Sequence, residues 1–334
     1  MAALRRRRSL WAARRSSVVK RLASNTWVVA GPAHARARLS PLISAHRNCR
    51  PVREVDLSAF CPSHLDDAAG VMIIGDPRKS PRSALPGVFL RARSGRRVAA
   101  GWLPDMADRL EAFARAAAEV QLRRTPQANC GPFVLLGESE QRALDLACRL
   151  KETLIDTAPV FQWTAERIRR QDLVSALQCG AGAAFYLGRG TSAGWVAYGG
   201  FDAGDASLAR GCPIGAVLSL TCSVACRSGT TLSFCEEMVL SGLCAAALGA
   251  AGLTLHRRNV RLALAVAQAL QCTSTLADVL LERGIPVVSL NRYRILGDPL
   301  APLIGDPHSL EKAQRVFAPA PDAVLPVISL SSWA

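Results

Sequence analysis

Short apolar runs that alternate with helical patterns constrain the fold of this chain more than any other feature of its 334 residues. Each run is closed by glycine or polar turn residues, as buried strands are. The runs lie at residues 71–74, 133–136, 183–187, 216–220 and 285–290. Strands that alternate with helices need crossover connections, which make the strands parallel and place helices on both faces of the sheet. The sequence therefore predicts an α/β fold, a three-layer sandwich with a mostly parallel sheet.

The stretches between these runs carry apolar residues at the spacing of one helix face. In residues 106–120 they recur at steps of four and three, which is typical of an amphipathic helix. The same spacing predicts helices over 143–154 and 266–280, and a further helical run covers 232–243.

The charge of the chain is concentrated at its start. The chain has 41 Lys and Arg against 26 Asp and Glu, and residues 1–50 hold 12 of the basic residues and no acidic one. A nucleic-acid-binding domain gathers its charge on a folded face, so this distribution disfavours that class for the body of the chain. We expect residues 1–67 to be a basic, disordered arm and linker. Contact of this arm with nucleic acid or an anionic membrane, and a mitochondrial-type presequence, are the alternatives.

The eleven cysteines indicate a compartment. They occur without an apolar export signal, which favours a reducing, cytoplasmic location. They form no C-x-x-C pair, which disfavours a zinc site or a redox dithiol. The glycines at 188, 190 and 194 lack the Lys-Ser/Thr of a phosphate-binding loop. We therefore expect no metal and no cofactor.

Two loops beyond predicted strands carry the candidate chemistry. Functional residues of parallel sheets gather just past the carboxyl ends of strands, where residues 185–195 and 217–226 lie. Cys222 stands at the end of the second strand, ahead of the helical run at 232–243. The positive end of that helix would stabilise a thiolate. The alternative is a thiol that only packs.

Several segments follow one another in a recognisable order between residues 130 and 305. They are Ala-Leu-Gln-Cys-Gly at 176–180, Gly-x-Gly-Thr-Ser-x-Gly-Trp at 188–195, the strand and cysteine at 216–222, the helix and small-residue strand at 234–248, and Gly-Asp-Pro at 297–299. Their order resembles the core of the caspase-like cysteine peptidases, most closely the gingipain type. In that family a His-Gly ends one strand and the nucleophilic cysteine ends the next. The resemblance implies a caspase-like fold, a peptide or protein substrate or partner, and Cys222 as nucleophile.

The chain departs from the family at one position, because Arg189 stands where the resemblance calls for histidine. The imidazole protonates the leaving amine during attack by the thiolate, which requires a group that titrates near neutral pH. A guanidinium, with a pKa above about 12, stabilises anions but does not shuttle protons. The backbone N–H of Gly190 is the candidate donor of an oxyanion hole.

Three interpretations of the site follow. His256, after the apolar run at 250–255, replaces the missing imidazole from the end of a strand. Alternatively, the protein is a pseudoenzyme whose cleft binds a peptide partner as an interaction or scaffold surface. In the third, Cys222 and Arg189 perform a different thiol reaction on an anionic substrate. The leading hypothesis is a cysteine-peptidase-like protein that Arg189 renders inactive in ordinary hydrolysis.

The same features divide the chain into parts. We expect an N-terminal α/β subdomain at residues 68–157, the Cys-bearing caspase-like subdomain at 158–310 and a C-terminal tail at 311–334. The body is long enough for two modest cores.

Overall fold

The computed structural model describes residues 25–123, 132–209 and 211–315. The strands in these ranges are β1 Thr26–Ala30, β2 Val52–Val55, β3 Ala68–Gly75, β4 Phe89–Arg91, β5 Arg97–Pro104, β6 Phe133–Gly137, β7 Val160–Thr164, β8 Ala183–Leu187, β9 Gly194–Trp195, β10 Phe201–Asp202, β11 Ile214–Ser219, β12 Cys244–Ala250 and β13 Tyr293–Gly297.

Helices connect most of these strands. They are α1 Ala33–Arg38, α2 Ser40–Arg47, α3 Pro81–Ala84, α4 Ala107–Leu122, α5 Gln141–Leu154, α6 Arg170–Ala176, the kinked turn α7 Ala197–Gly200, α8 Ala203–Leu208, α9 Phe234–Leu240, α10 His256–Leu270, α11 Leu276–Leu281, α12 Val287–Leu290 and α13 Ser309–Arg315. Within the described ranges, no helix has the length and apolar character that a bilayer crossing requires.

One large sheet organises these elements, in the order β2-β1-β3-β5-β13-β12-β11-β8-β6-β7, with β4 added on β5. Among the described strands of this sheet, only the β12–β13 and β4–β5 pairs are antiparallel, and β9 and β10 form a separate two-stranded antiparallel sheet. Helix α4 packs with α1, α2 and α9, while α10 packs with α5, α11 and α12, so helices cover both faces. The predicted three-layer α/β sandwich with a mostly parallel sheet is confirmed.

The antiparallel β12–β13 pair divides the sheet into two halves that run in opposite directions. Strands β6, β8, β11 and β12 are consecutive parallel neighbours, with Gly137 opposite Leu187 and Ser219 opposite both Tyr186 and Gly249. Their carboxyl ends therefore open at one edge of the sheet. The Gly-Asp-Pro turn after β13 lies at the opposite edge.

The prediction that residues 1–67 form a disordered arm is wrong for residues 25–67, which the structure describes. Strand β1 is fully buried and pairs in parallel with both β2 and β3. Helix α2 packs on α4. The four apolar residues 27–30 form a core strand, and the basic residues around them had masked this signal. Residues 1–24, which carry the Arg5–Arg8 run, lie outside the described residues.

The expected domain boundary at residue 157 does not coincide with the division of the sheet into two halves. Strand β6 and helix α5 precede it but belong to the half that contains β8 and β11. Strand β13 follows it but runs parallel to β5 in the other half. Of the expected tail, residues 311–315 belong to α13, and 316–334 lie outside the described residues.

Two local predictions are also wrong. Residues 287–290 are a helical turn and not a strand, because Pro286 lacks an N–H for a ladder and Val288 is exposed. The helix expected over 266–280 ends at Leu270 and restarts at Leu276. The hydroxyl of Thr275 caps the second segment by accepting from the Asp278 N–H.

A buried histidine–aspartate pair joins α2 to the turn after β13. His46 Nε2 lies 2.9 Å from Asp298 Oδ2, and both side chains are inaccessible to solvent. Gln121 and the Leu300 N–H also donate to this carboxylate, and the Trp27 ring stacks on the imidazole. Burial alone would raise the pKa of Asp298, but His46 and the other donors hold it below its usual value. The stability from this group is therefore present above the usual carboxyl pKa and is lost as the pH falls below it.

We expect His46→Ala to lower the free energy of unfolding by about 3–5 kcal/mol, because it leaves a buried carboxylate without its histidine partner. Urea denaturation at pH 7 measures the change. His34→Ala is the matched control, since His34 pairs with Asp105 at 2.7 Å but is mostly exposed. It should cost less than about 1 kcal/mol. Equal losses in the two variants would contradict a special role for the buried pair.

Candidate active site

All four residues singled out in the sequence line one cleft of about 520 Å³ at the carboxyl edge of β6, β8, β11 and β12. Arg189 and Gly190 come from the loop after β8, Cys222 from the loop after β11, and His256 from the start of α10. The two loops are neighbours because β8 and β11 pair in parallel. Chain segments that are distant in sequence thus meet at one site.

The backbone around Cys222 makes a sharp turn. Strand β11 ends at Ser219, and Ser223 adopts a positive φ of 58°, which is uncommon for a residue with a side chain. The Ser223 N–H donates to the Gly252 carbonyl at 3.1 Å, which ties the turn to the loop after β12. Such strain is concentrated at functional sites and persists only where neighbours enforce it.

The hydrogen-bond partners of the Cys222 sulfur come from Thr254. The Thr254 N–H donates to Sγ at 3.3 Å, the Thr254 Oγ1 lies at 3.4 Å and its carbonyl oxygen at 3.6 Å. The helical run predicted at 232–243 is α9, which begins at Phe234, and its expected effect on the thiolate stays a prediction. The first turn of α9 is capped by Ser233 and Glu236.

Arg189 is an exposed cation on the wall of the cleft, paired with two glutamates. Its backbone N–H and its Nε both donate to Glu138 Oε1, at 2.9 and 3.0 Å, and Glu140 lies at 3.4 Å. The hydrogen bond and charge of Glu138 raise the pKa of the guanidinium further above its usual value. Arg189 therefore contributes positive charge to the cleft but no exchangeable proton at neutral pH.

Aromatic residues hold the Arg189 loop against β11. The Tyr186 hydroxyl donates to the Arg189 carbonyl at 2.7 Å and accepts from the Ala197 N–H at 3.2 Å. Its ring stacks on Trp195 with 4.6 Å between centroids. Trp195 Nε1 in turn donates to the Ser219 hydroxyl at 3.0 Å. Burial raises the pKa of Tyr186 well above its usual value, so its hydroxyl stays a donor.

Gly190 lies directly against the loop that carries Cys222. A Cβ at this position would lie 2.7 Å from the Thr221 methyl group and 2.8 Å from Val224, so only glycine fits. Gly190 forms an antiparallel bridge with Trp195 whose hydrogen bonds are made by the residues on either side. The bridge therefore does not use the Gly190 N–H.

His256 lines the cleft as the first residue of α10 and is exposed. The sequence had indicated that His256 directly follows a strand, and it does not. Strand β12 stops at Ala250, and residues 251–255 form a loop.

The sequence analysis missed three residues that line the cleft, Glu138, Thr254 and Asn259, and one that lies behind it, Tyr293. Glu138 follows β6 directly, so the rule that selected the other two strand ends also applies to it. Thr254, Asn259 and Tyr293 form hydrogen bonds around the sulfur of Cys222. No local pattern marks these three, because they come from a loop, a helix and an antiparallel strand that only the folded sheet brings together.

Comparisons with known proteins show which solved structures share this fold. No protein-family model and no curated protein sequence matches the chain. The Arg-specific cysteine proteinase gingipain R matches in structure with a TM-score of 0.63 and 11% identity, over 84% of this chain and 78% of that one. A complex of the Porphyromonas gingivalis RgpB pro- and mature domains matches with a TM-score of 0.61 and 12% identity, over 83% and 79%. The chain has the caspase-like fold of these cysteine peptidases, and identities this low establish the fold alone.

The close approach at Gly190 makes a prediction about stability. We expect Gly190→Ala to lower the free energy of unfolding by about 1–3 kcal/mol, because the new methyl group overlaps Thr221 and Val224. Gly87→Ala is the matched control: nothing lies within 4 Å of its Cβ position and its φ is not positive. That variant should be neutral or slightly stabilising in the same urea titration. A neutral Gly190→Ala would show that the two loops are not in tight contact.

Proposed function

We propose that this is a cysteine-peptidase-like protein that binds a peptide or protein segment in the cleft at Cys222. In this proposal Cys222 has the nucleophile position, the Gly190 N–H faces the substrate carbonyl, and Arg189 replaces the family's histidine. One observation carries the proposal: Cys222, Arg189 and Gly190, chosen from the sequence, line a single cleft of a caspase-like fold.

The arrangement supports part of the peptidase reaction. Attack of the sulfur on a carbonyl creates an oxyanion, which the Gly190 N–H and the charge of Arg189 would stabilise. Expulsion of the amine then needs a proton donor, and the guanidinium cannot supply one near neutral pH. We therefore propose that the Cys222–Arg189 pair does not perform ordinary amide hydrolysis.

An extended groove favours a peptide as the bound molecule. A second depression of about 470 Å³ adjoins the cleft and shares Glu138, Glu140, Arg189 and Val196 with it. The RgpB structure pairs a mature domain with its pro-domain, and we propose by analogy a protein partner here. From the free thiols of the described ranges, we also propose a cytoplasmic location.

A second candidate function is active hydrolysis with His256 as the proton donor. Its support is that His256 lines the same cleft as Cys222. A histidine is the side chain best suited to proton transfer at neutral pH.

Replacement of Arg189 tests the primary proposal. With a mixed fluorogenic peptide library at pH 7.5, we expect no hydrolysis by the native protein that depends on Cys222. Arg189→His should introduce a slow amidase activity that Cys222→Ala abolishes, because it restores a titrating group in the cleft that holds the nucleophile. No gain of activity in Arg189→His would count against a peptidase geometry.

The native protein tests the second candidate. Cys222-dependent cleavage that His256→Ala lowers by at least about 100-fold would establish His256 as the acid and would overturn the inactive assignment. If the cleft only binds peptides, an immobilised peptide library should retain the native protein and the Cys222→Ser variant equally.

A further inference from the structure

Among the described residues, the hydrogen-bond partners of the Cys222 sulfur all belong to Thr254. The sulfur accepts the Thr254 N–H at 3.3 Å, the thiol donates to the Thr254 carbonyl at 3.6 Å, and the Thr254 hydroxyl oxygen lies at 3.4 Å. The direction of the last contact depends on where the hydroxyl proton points. The neighbours of Thr254 determine that direction.

Asn259 fixes the Thr254 hydroxyl. Asn259 Nδ2 donates to the Leu220 carbonyl at 3.1 Å and to Thr254 Oγ1 at 2.9 Å. A carbonyl oxygen only accepts, so the contact with Leu220 sets the orientation of the amide. Because Oγ1 already accepts from Asn259, its own proton is available for the sulfur of Cys222.

Tyr293 completes the chain of donors. Its hydroxyl donates to Asn259 Oδ1 at 2.9 Å, so the amide is held at both ends. Both Asn259 and Tyr293 are buried. Burial raises the pKa of Tyr293 well above its usual value, so its hydroxyl keeps its proton over the whole working range. Tyr293 thus donates to Asn259 and Asn259 donates to Thr254, which leaves the Thr254 hydroxyl proton for the sulfur of Cys222.

We propose that Thr254, Asn259 and Tyr293 form a donor relay that stabilises the Cys222 thiolate in place of an imidazole. Hydrogen bonds to a charged form favour that form, so the Thr254 N–H and hydroxyl favour the thiolate. The Thr254 carbonyl, which accepts from the thiol at the longer distance of 3.6 Å, opposes them, and in the proposal the two donors outweigh it. The thiol proton passes to solvent. Thr254 contacts the reacting sulfur, whereas Asn259 and Tyr293 are positioning residues. The inference rests on the proposed function only in taking Cys222 as the reactive thiol.

The titratable and charged groups that line the same cleft are Glu138, Glu140, Arg142, Arg189 and His256. Behind Tyr293 lies the buried Cys235, whose pKa is raised by burial, so it stays a neutral thiol. None of them is altered by a substitution at Thr254. A comparison of Thr254 variants with the native protein therefore isolates the relay.

The test is the pH dependence of Cys222 alkylation. The native protein and its variants are treated with iodoacetamide from pH 5 to 10, and mass spectrometry of the Cys222 peptide gives the rate. Thr254→Val should raise the pH of half-maximal rate by about 1 unit. Thr254→Ser, which keeps the hydroxyl, should restore the native midpoint. Tyr293→Phe should give a smaller upward shift.

Thr221→Val is the matched control. It makes the same hydroxyl-to-methyl change one residue from Cys222, but Thr221 Oγ1 is buried and has no hydrogen-bond partner among the described residues. Its midpoint should equal that of the native protein.

An unchanged midpoint in Thr254→Val, or an equal shift in Thr221→Val, would overturn the relay. Alkylation requires no peptide cleavage, so the relay and the proposed function fail separately. A shifted midpoint without peptide binding would leave the relay standing and remove the proposed function.

Discussion

The parallel pairing of β6, β8, β11 and β12 is the constraint on which the rest of the site depends. The carboxyl ends of parallel neighbours lie at one edge of the sheet. The residues that follow these four strands therefore meet there, however far apart they are in the chain. Glu138, Arg189, Cys222 and Thr254 are the residues so collected. Reversal of direction at the β12–β13 pair limits the site to this half of the sheet.

The sequence was sufficient for what depends on local periodicity. Buried runs and helical stripes identified β3, β6, β8 and β11, the fold class and the two loops that carry Cys222 and Arg189. It failed where tertiary contacts override local signals. Strand β1 is buried despite its basic surroundings, and Pro286 prevents an apolar run from forming a strand. Partners such as Asn259 and Tyr293 lie outside any motif, because only the folded sheet brings them to the sulfur.

Two features of the cleft bear on its chemistry. In the proposed relay the Thr254 hydroxyl donates to the sulfur, and Arg189, paired with Glu138, brings a positive charge to the wall of the cleft. Both favour a charged nucleophile or oxyanion, yet neither delivers a proton to a leaving group. On the proposed assignment of Cys222 and Arg189, such a site suits binding and attack better than turnover.

A crystal structure of the protein after reaction with a peptidyl chloromethyl ketone tests the central claim most directly. The account predicts one thioether bond, at Cys222 Sγ, with the peptide lying in the cleft between Gly190 and Thr254. Attachment at exposed thiols such as Cys49 or Cys148, with the cleft unoccupied, would contradict it.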